Sequence, residues 1–137
     1  MKNSAIIFKL PFPPSINKIW NYSSKQVYLS KQTINFRDEV AIIARKQNII
    51  LNIDQPVKVS VVLHPKNARK RDLDNFGSKA LFDALTHANV WKDDSIVKGI
   101  HLAWGDLSNR PYIDVAIQFY QNDWVKTIDQ LLELDQQ

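Results

Sequence analysis

The chain has no cysteine, only 3 glycines among its 137 residues, and no long apolar run. Without cysteine it has no disulfide, no thiolate metal site and no cysteine nucleophile. With so little glycine it has no glycine-rich cradle for a nucleotide phosphate. No stretch approaches the roughly 18 apolar residues of a membrane span, and the N-terminus makes a poor signal peptide. We therefore expect a soluble, cytoplasmic protein that does not associate with membranes.

The composition that remains is that of one globular domain. Hydrophobic residues make up 45% of the chain, enough for a genuine core, and no repeat or linker divides it. We therefore assign residues 1–137 to a single domain. The net charge of +4, from 18 basic and 14 acidic residues, indicates a modest preference for anionic partners.

The most informative segment is Arg71-Asp72-Leu73-Asp74-Asn75. If this segment is extended, Asp72 and Asp74 project to the same side and can address one point. Two neighbouring carboxylates repel each other, and Mg²⁺ or Mn²⁺, which prefer hard oxygen ligands, would relieve that repulsion. The pattern is also short enough to occur by chance in a solvated, charged loop.

Basic residues surround this acidic pair. Lys66, Arg69, Lys70 and Arg71 would attract a polyanion, and the combination of acid for a metal with base for phosphate suggests metal-dependent chemistry on nucleic acid. Two further residues follow the rigid Pro13 and Pro14 and are candidate phosphate contacts, although an ordinary polar loop explains them equally well. These are Asn17 and Lys18.

Hydrophobic periodicity predicts four strands and two main helices. Strands are expected over residues 5–10, 57–63, 96–104 and 112–120, and helices over 31–48, capped by Ser30, and over 76–88. The turn-forming residues 105–111 predict that the last two strands form an antiparallel hairpin. The expected fold is α/β (α+β mixed): a small mixed sheet of about four strands, with two main helices packed against it.

The last residues, 121–137, are expected to add a C-terminal helical extension. Asp123 is its candidate cap. Its apolar positions are Trp124, Val125, Ile128, Leu131 and Leu132.

A third carboxylate follows the second helix. That helix and the strand returning from it can bring the next connection back towards Asp72 and Asp74, which would add Asp94, or Asp93 as its substitute, to the same site. A simple polar turn is the commoner role of such an aspartate pair. The three histidines have no ligand spacing. We expect Trp91 and Trp104 to pack in the core or an interface, with stacking on exposed bases as the alternative.

Together these residues resemble the RusA family of Holliday junction resolvases, which are common in phages and prophages. The resemblance rests on the Arg-Asp-Leu-Asp-Asn motif, the strings at residues 79–85 and 91–94, and the opening Pro-Pro-Ser-Ile-Asn element at residues 13–17. It extends from about residue 5 to residue 119.

The resemblance implies a small homodimeric endonuclease that cuts four-way junction DNA symmetrically with Mg²⁺ or Mn²⁺. It assigns the essential aspartates to Asp72, Asp74 and Asp94, and a catalytic lysine to Lys79. Asn75 and Lys79 are four positions apart, whereas the family pattern has three. On a continuous helix the extra residue rotates the lysine by about 100°.

Two other classes of function fit parts of the sequence. A non-catalytic or structure-selective DNA-binding module would use the basic residues but would gain nothing from three aspartates, which repel phosphate. A nucleotide phosphohydrolase would use the aspartates but would be expected to carry a glycine-rich phosphate loop.

Overall fold

A computed structural model describes residues 5–22, 26–76, 78–120 and 130–134. The strands are β1 (Ala5–Pro11), β2 (Trp20–Tyr22), β3 (Val27–Leu29), β4 (Val57–His64), β5 (Val97–Trp104) and β6 (Tyr112–Phe119). The helices are α1 (Lys31–Lys46) and α2 (Lys79–His87), and residues 130–134 are also helical. The mixed α/β fold with a four-stranded sheet is confirmed.

The main sheet has the strand order β1-β6-β4-β5. β6 is antiparallel to both β1 and β4, whereas β5 is parallel to β4. Alternate residues of the two central strands are buried beneath the helices, as the period of two predicts. They are Val57, Val59, Val61 and Leu63 of β4 and Ile113, Val115 and Ile117 of β6, none more than 1% exposed.

The first helix forms as its sequence predicts. The Ser30 hydroxyl accepts a hydrogen bond from the Thr33 backbone N–H at 3.1 Å, which caps the N-terminus. Its buried residues Phe36, Val40 and Ala44 recur at helical spacing and join the core. The helix ends at Lys46, two residues before the expected end.

The second helix begins at Lys79 and not at residue 76 as predicted. Residues Leu73–Asn75 form a separate 3-10 turn, so the helix starts only after Ser78. Its buried face includes Leu81, Ala84 and Leu85. After the helix, Asn89 adopts a positive φ of 60°, a conformation that asparagine tolerates and that ends helices.

The predicted hairpin of β5 and β6 is wrong. β4 lies between these two strands, and the connection from 105 to 111 crosses over its end. Two backbone hydrogen bonds secure the crossing: Gly105 N–H donates to the Leu63 carbonyl at 2.8 Å, and Ser108 N–H donates to the Pro65 carbonyl at 2.9 Å. Turn-forming residues show that a chain reverses, but they do not determine which strands become neighbours.

A second, two-stranded sheet formed by β2 and β3 was not expected from the sequence. In the C-terminal extension, Leu131 and Leu132 belong to the helical residues 130–134 and are 59% and 54% exposed. The proposed cap Asp123 and residues Trp124, Val125 and Ile128 lie outside the described residues. Within the described part of the chain, no helix is both long and apolar enough to span a bilayer.

Candidate active site and nucleic-acid interface

An open groove of about 700 Å³ lies beside the end of β4. Besides Arg71, the basic residues that border it come from two separate parts of the sequence: Lys18 from the start of the chain, and Lys66, Arg69 and Lys70 from the connection after β4. All four are exposed. The structure therefore adds Lys18 to the basic run that the sequence identified, and their combined charge suits a phosphate backbone.

The N-terminal wall of this groove is rigid. Pro13 and Pro14 are buried, and the 3-10 turn Ile16–Lys18 follows them. Because each proline fixes its own φ, the turn leaves the sheet in a defined direction. Asn17 and Lys18 are both exposed on this turn and line the groove.

Arg71 has a different environment from the other basic residues. Its guanidinium donates hydrogen bonds to the backbone carbonyls of Asn67 and Arg69, both at 3.0 Å, and to the Asn67 side-chain oxygen at 2.9 Å. The same Asn67 oxygen accepts the Arg69 backbone N–H at 3.1 Å. Arg71 therefore folds back on its own loop and fixes the loop's shape, while Arg69 and Lys70 remain directed to solvent.

The acidic motif begins at the wall of the same groove. Asp72 has an extended backbone and lines the groove, but the next residues form the 3-10 turn Leu73–Asn75. The condition that would project Asp72 and Asp74 to the same side, an extended segment, is therefore met only at Asp72. The two aspartates nevertheless remain exposed, because Leu73 between them packs against the core.

Aromatic packing holds this turn in place. The Phe76 ring lies between Phe12 and Trp104, with centroid distances of 5.3 Å and 6.2 Å. These two rings come from the ends of β1 and β5, so the turn that follows Asp72 is attached to both edge strands of the sheet. Trp104 thus supports the acidic motif through packing, in agreement with the preferred sequence prediction.

The third aspartate of the family pattern lies in a second groove of about 360 Å³. Asp94 and Asp93 border it together with Asp83 of α2, Arg37 of α1 and Trp20 of β2. The neighbouring Ser95 lowers the pKa of the Asp93 carboxyl through hydrogen bonding. Asp94 is the residue that the family resemblance assigns to the metal site, and it begins the 3-10 turn Asp94–Ile96 directly before β5.

The structure does not bring Asp94 together with Asp72 and Asp74. Among the described residues, no three histidine, aspartate or glutamate side chains are grouped closely enough to hold one metal ion. The sheet register explains the separation. Asp94 lies just before Val97, which pairs with Val57 at the start of β4, whereas Asp72 follows the end of β4.

Lys79 is the first residue of α2 and pairs with Asp83 one helical turn later. Its ammonium nitrogen lies 3.3 Å from the Asp83 carboxylate, and the two side chains are 51% and 41% exposed. Such an exposed pair is weak and easily rearranged. Because Asp83 borders the second groove, Lys79 is beside the groove that contains Asp94.

His87 and the buried Trp91 have structural contacts. His87 Nδ1 lies 2.7 Å from a guanidinium nitrogen of Arg37, so this ring nitrogen accepts. Trp91 is fully buried, and its indole N–H donates to the Thr86 hydroxyl at 2.7 Å. Trp91 is therefore a core residue and is not free to stack on a base. Sequence reasoning missed Trp20, whose only signal was its place in a short aromatic, β-forming segment.

A groove that is lined by basic side chains and by the exposed Asp72 is typical of proteins that act on the phosphates of nucleic acid. The model of the family described as Endodeoxyribonuclease RusA matches residues 11–118. The chain belongs to this family.

Curated relatives agree with the family assignment. The "Crossover junction endodeoxyribonuclease RusA" of Escherichia coli strain K12 is 39% identical over 88 residues, which cover 64% of this chain and 72% of the relative. The "Crossover junction endodeoxyribonuclease rusA" of Enterobacteria phage 82 has the same identity and coverage. The Shigella sonnei protein with this name is 38% identical over 88 residues, again 64% of this chain and 72% of the relative.

Proposed function

We propose that this protein is a metal-dependent endonuclease that resolves four-way DNA junctions by paired, symmetric cleavage. The observation that carries the proposal is the position of Asp72, which lines the same groove as Lys18, Lys66 and Arg69. A phosphate held by these cations would lie next to the acidic motif. The family and the names of its curated members support DNA as the substrate.

The donor set of the acidic motif fits Mg²⁺ or Mn²⁺. Asp72 and Asp74 supply exposed carboxylate oxygens, and Mg²⁺ is commonly held by one or two carboxylates, with water and substrate phosphate completing its shell. Asp94, which the family resemblance assigns to the same site, lies near the opposite end of β4 from Asp72, so its part as a third ligand is a separate proposal. Held by Asp72 and Asp74, such an ion would supply activation of water and neutralisation of charge on the phosphate.

The chain's own residues contribute binding and orientation. Lys18, Lys66, Arg69 and Lys70 hold the DNA backbone, and Arg71 keeps their loop in shape through its three hydrogen bonds. Lys79 can exchange its weak pairing with Asp83 for a phosphate oxygen, and there it would stabilise the negative charge that develops during cleavage.

We also propose a homodimer. A four-way junction presents two symmetry-related strands, and a two-fold protein places one active site on each. Two features of the described chain support an assembly. Ile7, on the sheet face opposite the helices, is 70% exposed, and Leu131 and Leu132 in the helical residues 130–134 are 59% and 54% exposed. Sedimentation showing only monomer at micromolar concentration, with single strands nicked independently, would contradict the dimer and leave a structure-selective nuclease.

One experiment separates the proposed activity from its alternatives. The protein is incubated with a synthetic four-way junction, with linear duplex of the same sequence and with nucleoside triphosphates, each with and without Mg²⁺. We expect paired cuts in the junction only, and only with Mg²⁺. Junction binding with no cleavage under any condition would indicate a non-catalytic module, and triphosphate hydrolysis would indicate a phosphohydrolase.

A further inference from the structure

The small hairpin formed by β2 and β3 has an exposed aromatic face. Trp20 and Tyr22 lie two residues apart on β2 and therefore project to the same side, where their cross-strand neighbours are Leu29 and Val27. The exposed fractions are 40% for Trp20, 75% for Tyr22 and 57% for Val27. Exposed aromatic side chains grouped on one face are characteristic of a binding surface.

This face lies between the two grooves. Asn17 and Lys18, immediately before β2, line the basic groove, whereas Trp20 and Leu29 line the second groove together with Asp94. A DNA backbone held in the basic groove would therefore bring its bases close to the hairpin. The cations of the basic groove favour a polyanion on that side of the hairpin. The second groove, which Trp20 lines, carries Asp83, Asp93 and Asp94 beside Arg37, and it therefore suits uncharged base faces better than phosphates.

The base of the hairpin is firmly attached to α1. Ser30 N–H donates to the Ile19 carbonyl at 2.9 Å, and its hydroxyl donates to the Lys18 carbonyl at 2.7 Å. The Thr33 hydroxyl donates to the same Ile19 carbonyl at 3.0 Å, and Ile19 is only 1% exposed. The aromatic face is therefore presented on a fixed support, so that a ligand loses little binding energy in ordering it.

We propose that Trp20 and Tyr22 form a stacking platform for DNA bases that are exposed at the branch point of a junction. In a continuous duplex both faces of every base are covered by its neighbours, whereas a junction whose arms are not stacked on one another exposes base faces at the branch point. An aromatic side chain can cover such a face whatever the base. This inference rests on the proposed function, and it deepens that function by identifying what distinguishes branched DNA from linear DNA.

The test measures binding in EDTA, so that cleavage plays no part. Trp20→Ala and Tyr22→Ala are each expected to weaken junction binding by roughly tenfold and to leave binding to the matching duplex unchanged. Trp20→Phe and Tyr22→Phe keep a ring and should stay close to wild type. The matched control is Tyr28→Ala, because Tyr28 is 46% exposed on the opposite face of the same hairpin, beside Asn21.

Photocrosslinking provides a direct readout of position. A 5-iodouracil placed at the branch point should crosslink to Trp20 or Tyr22, and the same base in the middle of an arm should not. Equal losses on junction and duplex, or a Tyr22→Ala variant that binds junctions normally, would overturn the inference. Because Tyr22 is largely exposed, its truncation tests the idea without the complication of unfolding.

The two proposals fail in different ways. If wild type binds junction and duplex equally well in EDTA, the stacking platform is refuted even if the protein cuts DNA with Mg²⁺. If the aromatic variants lose junction binding but wild type never cleaves, the nuclease is refuted and the platform is retained. A changed oligomeric state in Trp20→Ala and Tyr22→Ala, with junction affinity preserved, would instead assign this face to a subunit contact and overturn the platform.

Discussion

His64 Nε2 lies 3.0 Å from the Asp114 carboxylate, and its other ring nitrogen lies 2.8 Å from the Asp106 backbone carbonyl. Both neighbours are hydrogen-bond acceptors, so only a doubly protonated ring can donate to both, and a neutral ring satisfies one. The ring also stacks on Tyr112, with centroids 4.3 Å apart. His64 thereby joins β4, β6 and the connection that crosses the end of β4.

The contact between Lys9 and the same Asp114 carboxylate predicts how stability depends on pH. Lys9, whose ammonium lies 2.6 Å from Asp114, is the main cause of a lowered pKa at Asp114, with a smaller contribution from His64, and the same contact raises the pKa of Lys9. A carboxyl group whose pKa is lowered by folding stabilises the folded protein at any pH above its pKa in the unfolded chain, about 3.9. This stabilisation is lost as the pH falls through the lower pKa of the folded protein.

We therefore expect Asp114→Asn to unfold at lower denaturant concentration than wild type at pH 7. The difference between the two proteins should shrink progressively below about pH 4, because protonation removes the same charge from wild type. Urea titrations at pH 7 and at pH 3.5 measure it. A difference of the same size at both values would show that the carboxylate charge is not the cause.

Gly105→Ala should destabilise the protein. A Cβ at this position would lie 2.5 Å from His64 Cε1 and 2.7 Å from Val62 Cγ1, and the ring cannot move without disturbing its contacts with Asp106 and Asp114. Overpacking of this kind costs about 1–3 kcal/mol. A double-mutant cycle checks the cause: in a His64→Ala background, where the ring is absent, the same substitution should cost clearly less. An equal cost in both backgrounds would locate the strain elsewhere.

The cations of the loop after β4 are expected to have two roles: Arg69 and Lys70 bind phosphate, and Arg71 holds the shape of the loop. Replacing Arg69, Lys70 and Arg71 together with Ala should weaken binding to all DNA sequences alike and flatten its salt dependence. The slope of log affinity against log salt should fall by about 0.9 for each phosphate that the variant no longer neutralises. Arg71→Lys keeps the charge but removes the loop hydrogen bonds, so affinity should fall with little change in slope. An unchanged slope in the triple variant would mean that the loop faces away from DNA.

Local patterns in the sequence predict the parts of the fold that depend on local physics. The Ser30 cap, the periodic Phe36 and Val40 of α1 and the alternation along β4 each follow from residues close together in the chain. The order of strands does not, because β4 separates β5 from β6 through pairings between distant residues. The turn-forming residues between β5 and β6 therefore predicted that the chain reverses direction, but they did not predict which strand β6 pairs with.

The candidate site shows the same division. The sequence identified the basic residues and Asp72, and the structure brings them to one groove. It could not show that Arg71 turns back on Asn67, because that depends on loop conformation. The sequence also predicted that Asp94 lies beside Asp72 and Asp74. In the structure the parallel register of β4 and β5 holds Asp94 near the opposite end of β4 from Asp72. The β2–β3 hairpin was missed because each strand has only three residues.

The assignment of the three aspartates to the cleavage site is tested most directly by measuring how Asp72→Asn, Asp74→Asn and Asp94→Asn cleave a synthetic four-way junction in Mg²⁺. Asp93→Asn is the matched control, being the exposed neighbour of Asp94 with its own local partner, Ser95. We predict that the first three variants lose cleavage while binding the junction as well as wild type or better, since each removes a ligand and a charge that repels phosphate. The control should cleave normally. Cleavage near the wild-type rate by Asp72→Asn or Asp74→Asn would contradict the proposed site.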